Sequence, residues 1–425
     1  MIYPHITVSS NSTLTIINEI SNQTLRIYVS TDKNSLGTVA IESSNQQFDV
    51  TGLTINTLYY VTAALVVNGV EVDYSTTKER VLMEAINWSP TANIPNWLFF
   101  DGNRIYGTRA GGVASRLVYS DDFGTTWNLI KDFGVQIQAF FKTRKGTMVV
   151  SSTADSKLYR STDEGVTWTD SLTFTHQGVE LYNWSFAEDY GGNFYAGQYG
   201  NVKDAQGNWI SVTYLWKTTD DGETWERIDY FVDKTNKHFH VVFVDKYTNR
   251  LYVTTGDSIK EMYYSDDQAE TWTLVGEQGV QTGFTGLTSH KHAVFCCDDL
   301  APGLNHLYKT TDDVTLEKLY KVPTKFNMQM YSMVSFEDGE LWGTCHNEWQ
   351  EDTKRSAIVR SQDGGQTWEV YASVLGIPSF HSFSYFGYDR WGKADMPYVF
   401  VNGGGYGLVR IPRLYSKKTA RARKY

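Results

Sequence analysis

The sequence predicts an all-β chain: a small β-sandwich followed by a propeller of seven blades, or six on the alternative count. Three observations carry the expectation. Aromatic residues make up 15% of the 425 residues and Gly numbers 35, a mixture of strand formers and turn formers. Short alternating runs such as RLVYS and LYVTT recur, while a 3.6-residue apolar period is scarce. One octapeptide returns along the chain: SDDFGTTW (120–127), STDEGVTW (161–168), TTDDGETW (218–225), SDDQAETW (265–272) and SQDGGQTW (361–368).

The first 80 residues lack the octapeptide. TLTIINEI, TLRIYVS, GTVAIES, QQFDV and LYYVTAALVV alternate as the strands of a sandwich do, which sets a first domain at 1–80. From 81 to 415 the repeat governs. Its third-position aspartates, Asp122, Asp163, Asp220, Asp267 and Asp363, stand 41, 57, 47 and 96 residues apart. The last interval is about double the others and holds a worn copy, TTDDVTLEKL, which keeps Asp312 but lacks Gly and Trp. A period in the forties with four short strands per repeat is the spacing of propeller blades. Around each copy the strands read alike: GTMVVSST, KLYRST, octapeptide, WTDSLT in one repeat, and RLYVTTG, EMYYSD, octapeptide, WTLVGE in another. The octapeptide therefore joins the third strand of a blade to the fourth.

The ends decide the blade count. NWLFFDG, RIYGTRA and RLVYSD open the first blade; FSYFGYDR, MPYVFVNG and YGLVRIPR follow the last octapeptide without a fourth strand. EAINWSP places Trp88 where a post-octapeptide Trp stands, so this segment is expected to close a seventh blade and hide the sheet edge.

The octapeptides resemble Asp-box (BNR) repeats of sialidase-like propellers, over roughly residues 82–415. The resemblance implies a structural turn: the Asp accepts backbone N–H bonds, the Gly takes a left-handed conformation, and the Trp packs between neighbouring sheets. By it, Asp122, Gly124, Trp127, Asp163, Gly165, Trp168, Asp220, Gly222, Trp225, Asp267, Trp272, Asp312, Asp363, Gly365 and Trp368 are structural and lie on the rim opposite the usual ligand face. TGLTINTLYYVTAALVVNGVEVDYS resembles the second half of a fibronectin type III domain, with Tyr59 in the tyrosine-corner place and no first-half Trp.

Three cysteines support no disulfide framework, and no apolar run reaches the ~20 residues of a membrane span. MIYPHITVSSNSTL has no basic start followed by an apolar core, which reads as a leaderless soluble protein. The net charge of −10 argues against a body that coats nucleic acid. The tail 416–425 runs the other way, with Lys417, Lys418, Arg421, Arg423 and Lys424; the last nine residues removed, the rest stands at −15. That tail is a candidate partner-binding arm, for a protein or for nucleic acid.

The sialidase resemblance implies an Arg triad, an Asp acid/base and a Tyr–Glu pair, the Arg fork gripping a carboxylate. ANIPNW puts Asn93 where the first-blade Arg is needed, and the one Arg-Ile-Pro sits late, at Arg410; Arg109 and Arg390 are the best remaining inner-strand cations. Asp-box xyloglucanases set paired carboxylates between two propellers, and this chain has one. Glu180, Asp298 and Glu348 could approach a funnel as a hydrolase pair, but any propeller places some acids there. A polar or zinc-binding cluster of His176, His238, His240, Cys296, Asp298, His346, Glu348 and His381 is expected near one mouth, without the short-range spacing of a metal site. Cys296 and Cys297 point to opposite faces of any strand they share. The longest insertion, GQYGNVKDAQGNWIS, should overhang the ligand face with Tyr199 and Trp209. Tyr199, Trp209, His238, His346 and His381 are the ligand-face candidates, and no catalytic residue, cofactor or metal is assigned. A non-catalytic interaction and assembly protein follows. A leaderless start with a fused sandwich resembles structural proteins of tailed-phage virions, which implies other virion subunits as partners and a glycan as a further ligand. The alternative is a glycan-active enzyme or lectin working through the funnel.

Overall fold

A computed structural model describes residues 5–412 apart from 84–96, 376–382, 387–397 and shorter stretches. The shorter ones are chiefly 18–22, 75–78, 109–112, 233–236, 257–259, 277–283, 298–305, 322–328, 347–354 and 404–406, with single residues and pairs elsewhere. The segment around Trp88 and the tail 416–425 lie outside the described residues.

The chain is all-β, with one 3-10 turn (Asn183–Ser185) among its described elements. At the N-terminal end, a three-stranded sheet and a five-stranded sheet bury one core between them. Leu14, Ile16, Phe48 and Val50 come from the first sheet; Leu25, Ile27, Val29, Val61 and Ala63 come from the second. Strands Thr57–Val67 and Val70–Tyr74 turn at Asn68 and Gly69, with φ of 51° and 79°. Two successive positive φ values match the right-handed twist of the paired strands. The N–H of Thr54 donates to the Tyr59 hydroxyl at 3.0 Å. On the outer face Arg26 joins Glu42 and Glu71 at 2.7 and 2.8 Å.

Beyond residue 96 the described strands make six four-stranded antiparallel sheets, a three-stranded one and two short two-stranded ladders. In chain order they run from Trp97–Asp101 to Asn128–Asp132 (sheet one), Ile137–Lys142 to Thr169–Thr173 (two), and Phe186–Glu188 to Glu226–Ile228 (three). Sheet four runs from His238–Val244 to Thr273–Leu274, five from Gly286–His290 to Glu317–Lys321, and six from Gln329–Ser335 to Glu369–Leu375. Sheet seven holds Phe383–Phe386, Tyr398–Gly403 and Gly407–Pro412. Each is a simple meander, and the first strands of successive sheets lie side by side, the 3-10 turn standing between two and three. Strand His5–Ser10 lies beside the outer strand of sheet six.

Apolar rings fill the space between sheets. Phe99, Phe140, Phe141, Phe186 and Phe194 interleave from sheets one to three, with Phe141 and Phe194 stacked at 4.7 Å. Each such pair adds about 1 kcal/mol beyond its area burial. Hydroxyls then lock the inner strands. Ser151 accepts the N–H of Ala139 at 2.9 Å and donates to Leu181 O at 3.0 Å; Thr254 accepts from Val241 and donates to Phe284 O. In sheets two and four these bonds fill bulges in the first strand and tie it to the next sheet's chain. Buried Asn183 does the same between sheets one and two. Its Nδ2 donates to Leu98 O at 2.8 Å and its Oδ1 accepts from Phe140 N at 3.2 Å.

The octapeptides form the outer turns. Asp163 Oδ1 accepts the Ser161 hydroxyl at 2.8 Å and the Thr167 N–H at 2.9 Å, while Oδ2 accepts the Thr167 hydroxyl at 2.6 Å. Asp122, Asp220, Asp267 and Asp363 repeat the pattern within 0.1 Å, on Thr126, Thr224, Thr271 and Thr367. Gly124, Gly165, Gly222 and Gly365 have φ of 81° to 90°, and Ala269 takes the same place at 74°. Its methyl joins the core beside Trp272, which offsets part of that strain. The worn copy closes differently: Asp312 accepts from Thr315, one residue earlier than its counterparts.

These turns bridge sheets. A methyl on Gly165 would stand 2.5 Å from Ile130 of sheet one, and one on Gly365 would stand 2.2 Å from Phe295 of sheet five. Trp168 meets Phe133 edge-on at 5.0 Å, Trp225 donates to Ser171 of sheet two, and Trp368 lies 6.4 Å from Phe295. Trp127 is half-buried.

Candidate functional site

Antiparallel order separates the two ends of every sheet. The octapeptides follow the third strand, so the start of a first strand and the end of a second strand share the opposite end. Five rings gather there. Trp184 and Tyr182 stack at 4.4 Å; Tyr182 meets Tyr199 edge-on at 5.2 Å; Tyr199 lies 4.0 Å from His238; and His238 and His240 are 5.3 Å apart.

Local sequence explains each position. The 3-10 turn is pinned by Asn183, which leaves Tyr182 and Trp184, on either side of it, half-buried. Tyr199–Gly200 pairs with Val179–Glu180 as a short ladder just after the second strand of sheet three. His238 opens sheet four, is fully buried, and holds Gly200 O through Nδ1 at 3.0 Å. His240 is the extra residue of the bulge between Phe239 and Val241. Its ring fits because it lies against Gly256, the partner of His238: a methyl there would stand 1.8 Å from Nε2. Gln198 ties the row to the scaffold, taking the Trp216 indole N–H at 3.1 Å and the Phe239 N–H at 3.0 Å.

The insertion continues the row outward. Val202–Lys203 and Trp209–Ile210 form a hairpin. Asp204 staples its turn, Oδ1 accepting the N–H groups of Gln206 and Asn208 at 2.9 and 2.8 Å. Trp209 is 56% exposed, the largest exposed ring of the described residues on this side, and both Lys203 and Lys237 place Nζ over it, at 4.3 and 4.5 Å. Lys237 directly precedes His238, and its carbonyl accepts the Val212 N–H at 2.9 Å.

Tyr199, His238 and His240 are thus neighbours, the two imidazoles buried, and Trp209 lies on the hairpin that follows Tyr199. Of the wider polar cluster's other described members, neither Cys296 nor His176 joins them. Cys296 is fully buried among Val241, Tyr252 and Met262, because its strand turns that face toward sheet four; Cys297 faces Phe295 and Met333 instead. His176 stacks on Tyr214 at 6.2 Å, apart from the row. The side chains of Glu180, His346 and Arg410, and all of Asn93, Arg109, Asp298, Glu348, His381 and Arg390, lie outside the described residues. Among the described residues no three His, Cys, Asp or Glu groups are placed to hold a metal ion. The sequence reading passed over Tyr182, Trp184, Lys203 and Lys237; the run KHFH, a cation followed by alternating imidazoles at a strand start, was the available signal.

At the octapeptide end, Glu188 is the most perturbed acid. It is buried at the end of the first strand of sheet three, and its Oε2 accepts the Arg144 N–H at 2.9 Å. Burial pushes its carboxyl up to about 7, with Asp221 and Asp189 adding to the shift and Arg144 opposing it.

Residues 156–337 match the Sortilin-Vps10 family (sortilin, neurotensin receptor 3). A xyloglucanase from a Paenibacillus species is 26% identical over 269 residues, 52% of this chain and 24% of that protein; the aligned part thus spans about a quarter of the relative. Among solved structures, a streptogramin B lyase superposes with a TM-score of 0.54 at 12% identity, over 76% of this chain and 94% of that one. A catalytically inactive virginiamycin B lyase from Staphylococcus aureus with quinupristin gives 0.55 at 14% identity, over 77% and 97%. Together with the four-stranded meanders, these likenesses establish a β-propeller fold. No described helix is long and apolar enough to cross a membrane.

Proposed function

We propose that the chain is a non-catalytic interaction and assembly protein that engages a glycan or protein partner through the ring row and the Trp209 hairpin. The carrying observation is an indole over half exposed, Trp209, on the hairpin that follows the half-buried Tyr199 and is reached by Lys237, the residue before His238. Rings held by buried neighbours bind with little loss of side-chain entropy, and their faces suit sugar rings and peptide planes alike. The body is read as an Asp-box propeller of seven blades, supported by the repeated Asp–Thr turns and by a seventh sheet of three strands that leaves room for the segment around Trp88. The N-terminal unit is read as a fibronectin type III-like sandwich, supported by two sheets on one core and the Tyr59–Thr54 bond. A tailed-phage virion is the setting proposed for it, on the analogy of fused sandwich and propeller modules, with the basic tail 416–425 docking on a neighbouring subunit.

A glycan-active enzyme is the second reading, favoured by the xyloglucanase relative. Fluorogenic sialosides and chromogenic xyloglucan, assayed beside a glycan array, separate the two. Binding without turnover is expected. Turnover that disappears on replacing Arg109 or Arg390 would overturn the proposal.

A further inference from the structure

We propose that the Lys203–Trp209–Lys237 hairpin is a binding site for an acidic glycan, a chain of sugar rings bearing carboxylate or sulfate groups. The inference rests on the binding role proposed above and gives it a ligand class.

Charge is the first argument. The chain carries −10 overall and −15 without its last nine residues, so a long polyanion is repelled by most of the surface. Here two ammonium groups converge on one indole, at 4.3 and 4.5 Å from its centre. Lys203 makes no ion pair among the described residues. Two cations held at one indole make a local positive site on an acidic surface.

The second argument is the accompanying apolar surface. Acidic peptides supply charge without a flat saturated ring, whereas a sugar presents C–H groups on a face about as wide as an indole. Trp209 leaves 56% of its surface open. A glycan can rest a sugar face on the open part of this indole and set its acidic groups on the lysines.

Third, the site is built in advance. Asp204 fixes the hairpin turn through two backbone N–H groups, and Lys237 is tied to Val212 by a backbone bond beside His238. The loss of freedom on binding is thereby reduced.

Affinity gel electrophoresis of the full chain provides the test, with polygalacturonate, xyloglucan or polyglutamate cast in the gel. Polygalacturonate should retard the wild type, the retardation falling as salt rises. Lys203→Gln with Lys237→Gln, and separately Trp209→Ala, should each weaken it at least tenfold with unchanged melting temperature. A chain in which Lys417, Lys418, Arg421, Arg423 and Lys424 are replaced by Gln should be retarded as the wild type is. Equal retardation by polyglutamate, or loss of retardation only when the tail is neutralised, would overturn the assignment. So would retardation by xyloglucan alone, which leaves the binding role intact; turnover of a glycan would overturn that role and not the ligand class.

Discussion

Replacing Glu188 by Gln removes one titration from the protein core while keeping its shape. The carboxyl is 2% exposed and takes one N–H from Arg144; an amide oxygen can accept the same bond. Burial holds the native group near 7 instead of its ordinary 4.5. The native state therefore keeps a proton that the unfolded chain gives up between those values. Stability from this group is complete below pH 4.5 and is lost as pH rises through 7. A displacement of that size corresponds to about 3 kcal/mol at most, at about 1.4 kcal/mol per tenfold change in proton affinity. Wild type and Glu188→Gln should thus melt together near pH 4.5 and separate by pH 8, the variant being the more stable. For a chain of this length about 3 kcal/mol is several degrees in melting temperature. Differential scanning calorimetry at half-unit pH steps follows the gap. Parallel curves, or a variant destabilised equally at every pH, would refute the view that an ionised, desolvated carboxylate strains sheet three.

Three further outcomes follow from the same contacts. Gly365→Ala forces a left-handed alanine against Phe295 and should cost about 2–4 kcal/mol, read as a shift in the urea midpoint. Asn183→Ala leaves Leu98 O and Phe140 N without that buried partner and should cost about 2–4 kcal/mol, with faster hydrogen exchange at Phe140. On the acid side, Asp122 is held at about 2 by the N–H and hydroxyl of Thr126, and Asp163 and Asp267 by the hydroxyl and N–H of Thr167 and Thr271. These groups stabilise above about pH 3.8 and fade as pH falls toward 2, so acid titration followed by near-UV circular dichroism should show loss of tertiary signal in that window.

The all-β class and the position of each turn were legible because both depend on local chemistry. Thr at the seventh octapeptide position and Asp at the third meet whatever the rest of the chain does, so a reader of eight letters can place the bond. Blade-to-blade locking was not legible. Ser151 and Thr254 look like ordinary strand residues, and their role depends on a bulge in a neighbouring strand and a carbonyl some thirty positions away. The site divides the same way. Trp209 and Tyr199 stood out because Gly, Asn and Asp surround them, whereas Tyr182 and Trp184 hid in a run that also supplies core residues such as Phe186. Cys296 was expected near the mouth, but both faces of its strand pack on neighbouring sheets, so Cys296 is buried toward sheet four and Cys297 toward sheet six.

That division bears on how such a fold can change its ligand. The Asp–Thr turns and Glu188, the most perturbed carboxyl of the described residues, sit at the octapeptide end, while the ring row and the lysines sit at the other. A substitution in the Trp209 hairpin touches neither the Asp–Thr turns nor the Asn183 bridge, so its effect on stability should be within about 0.5 kcal/mol. The hairpin's own turn is closed by Asp204, which is again an Asp accepting N–H bonds two and four residues ahead. The chain thus uses one chemical device twice: in a constant place to join strands three and four, and in an insertion to present a variable tip. Lengthening or re-lettering that tip changes what is recognised without disturbing the sheets beneath.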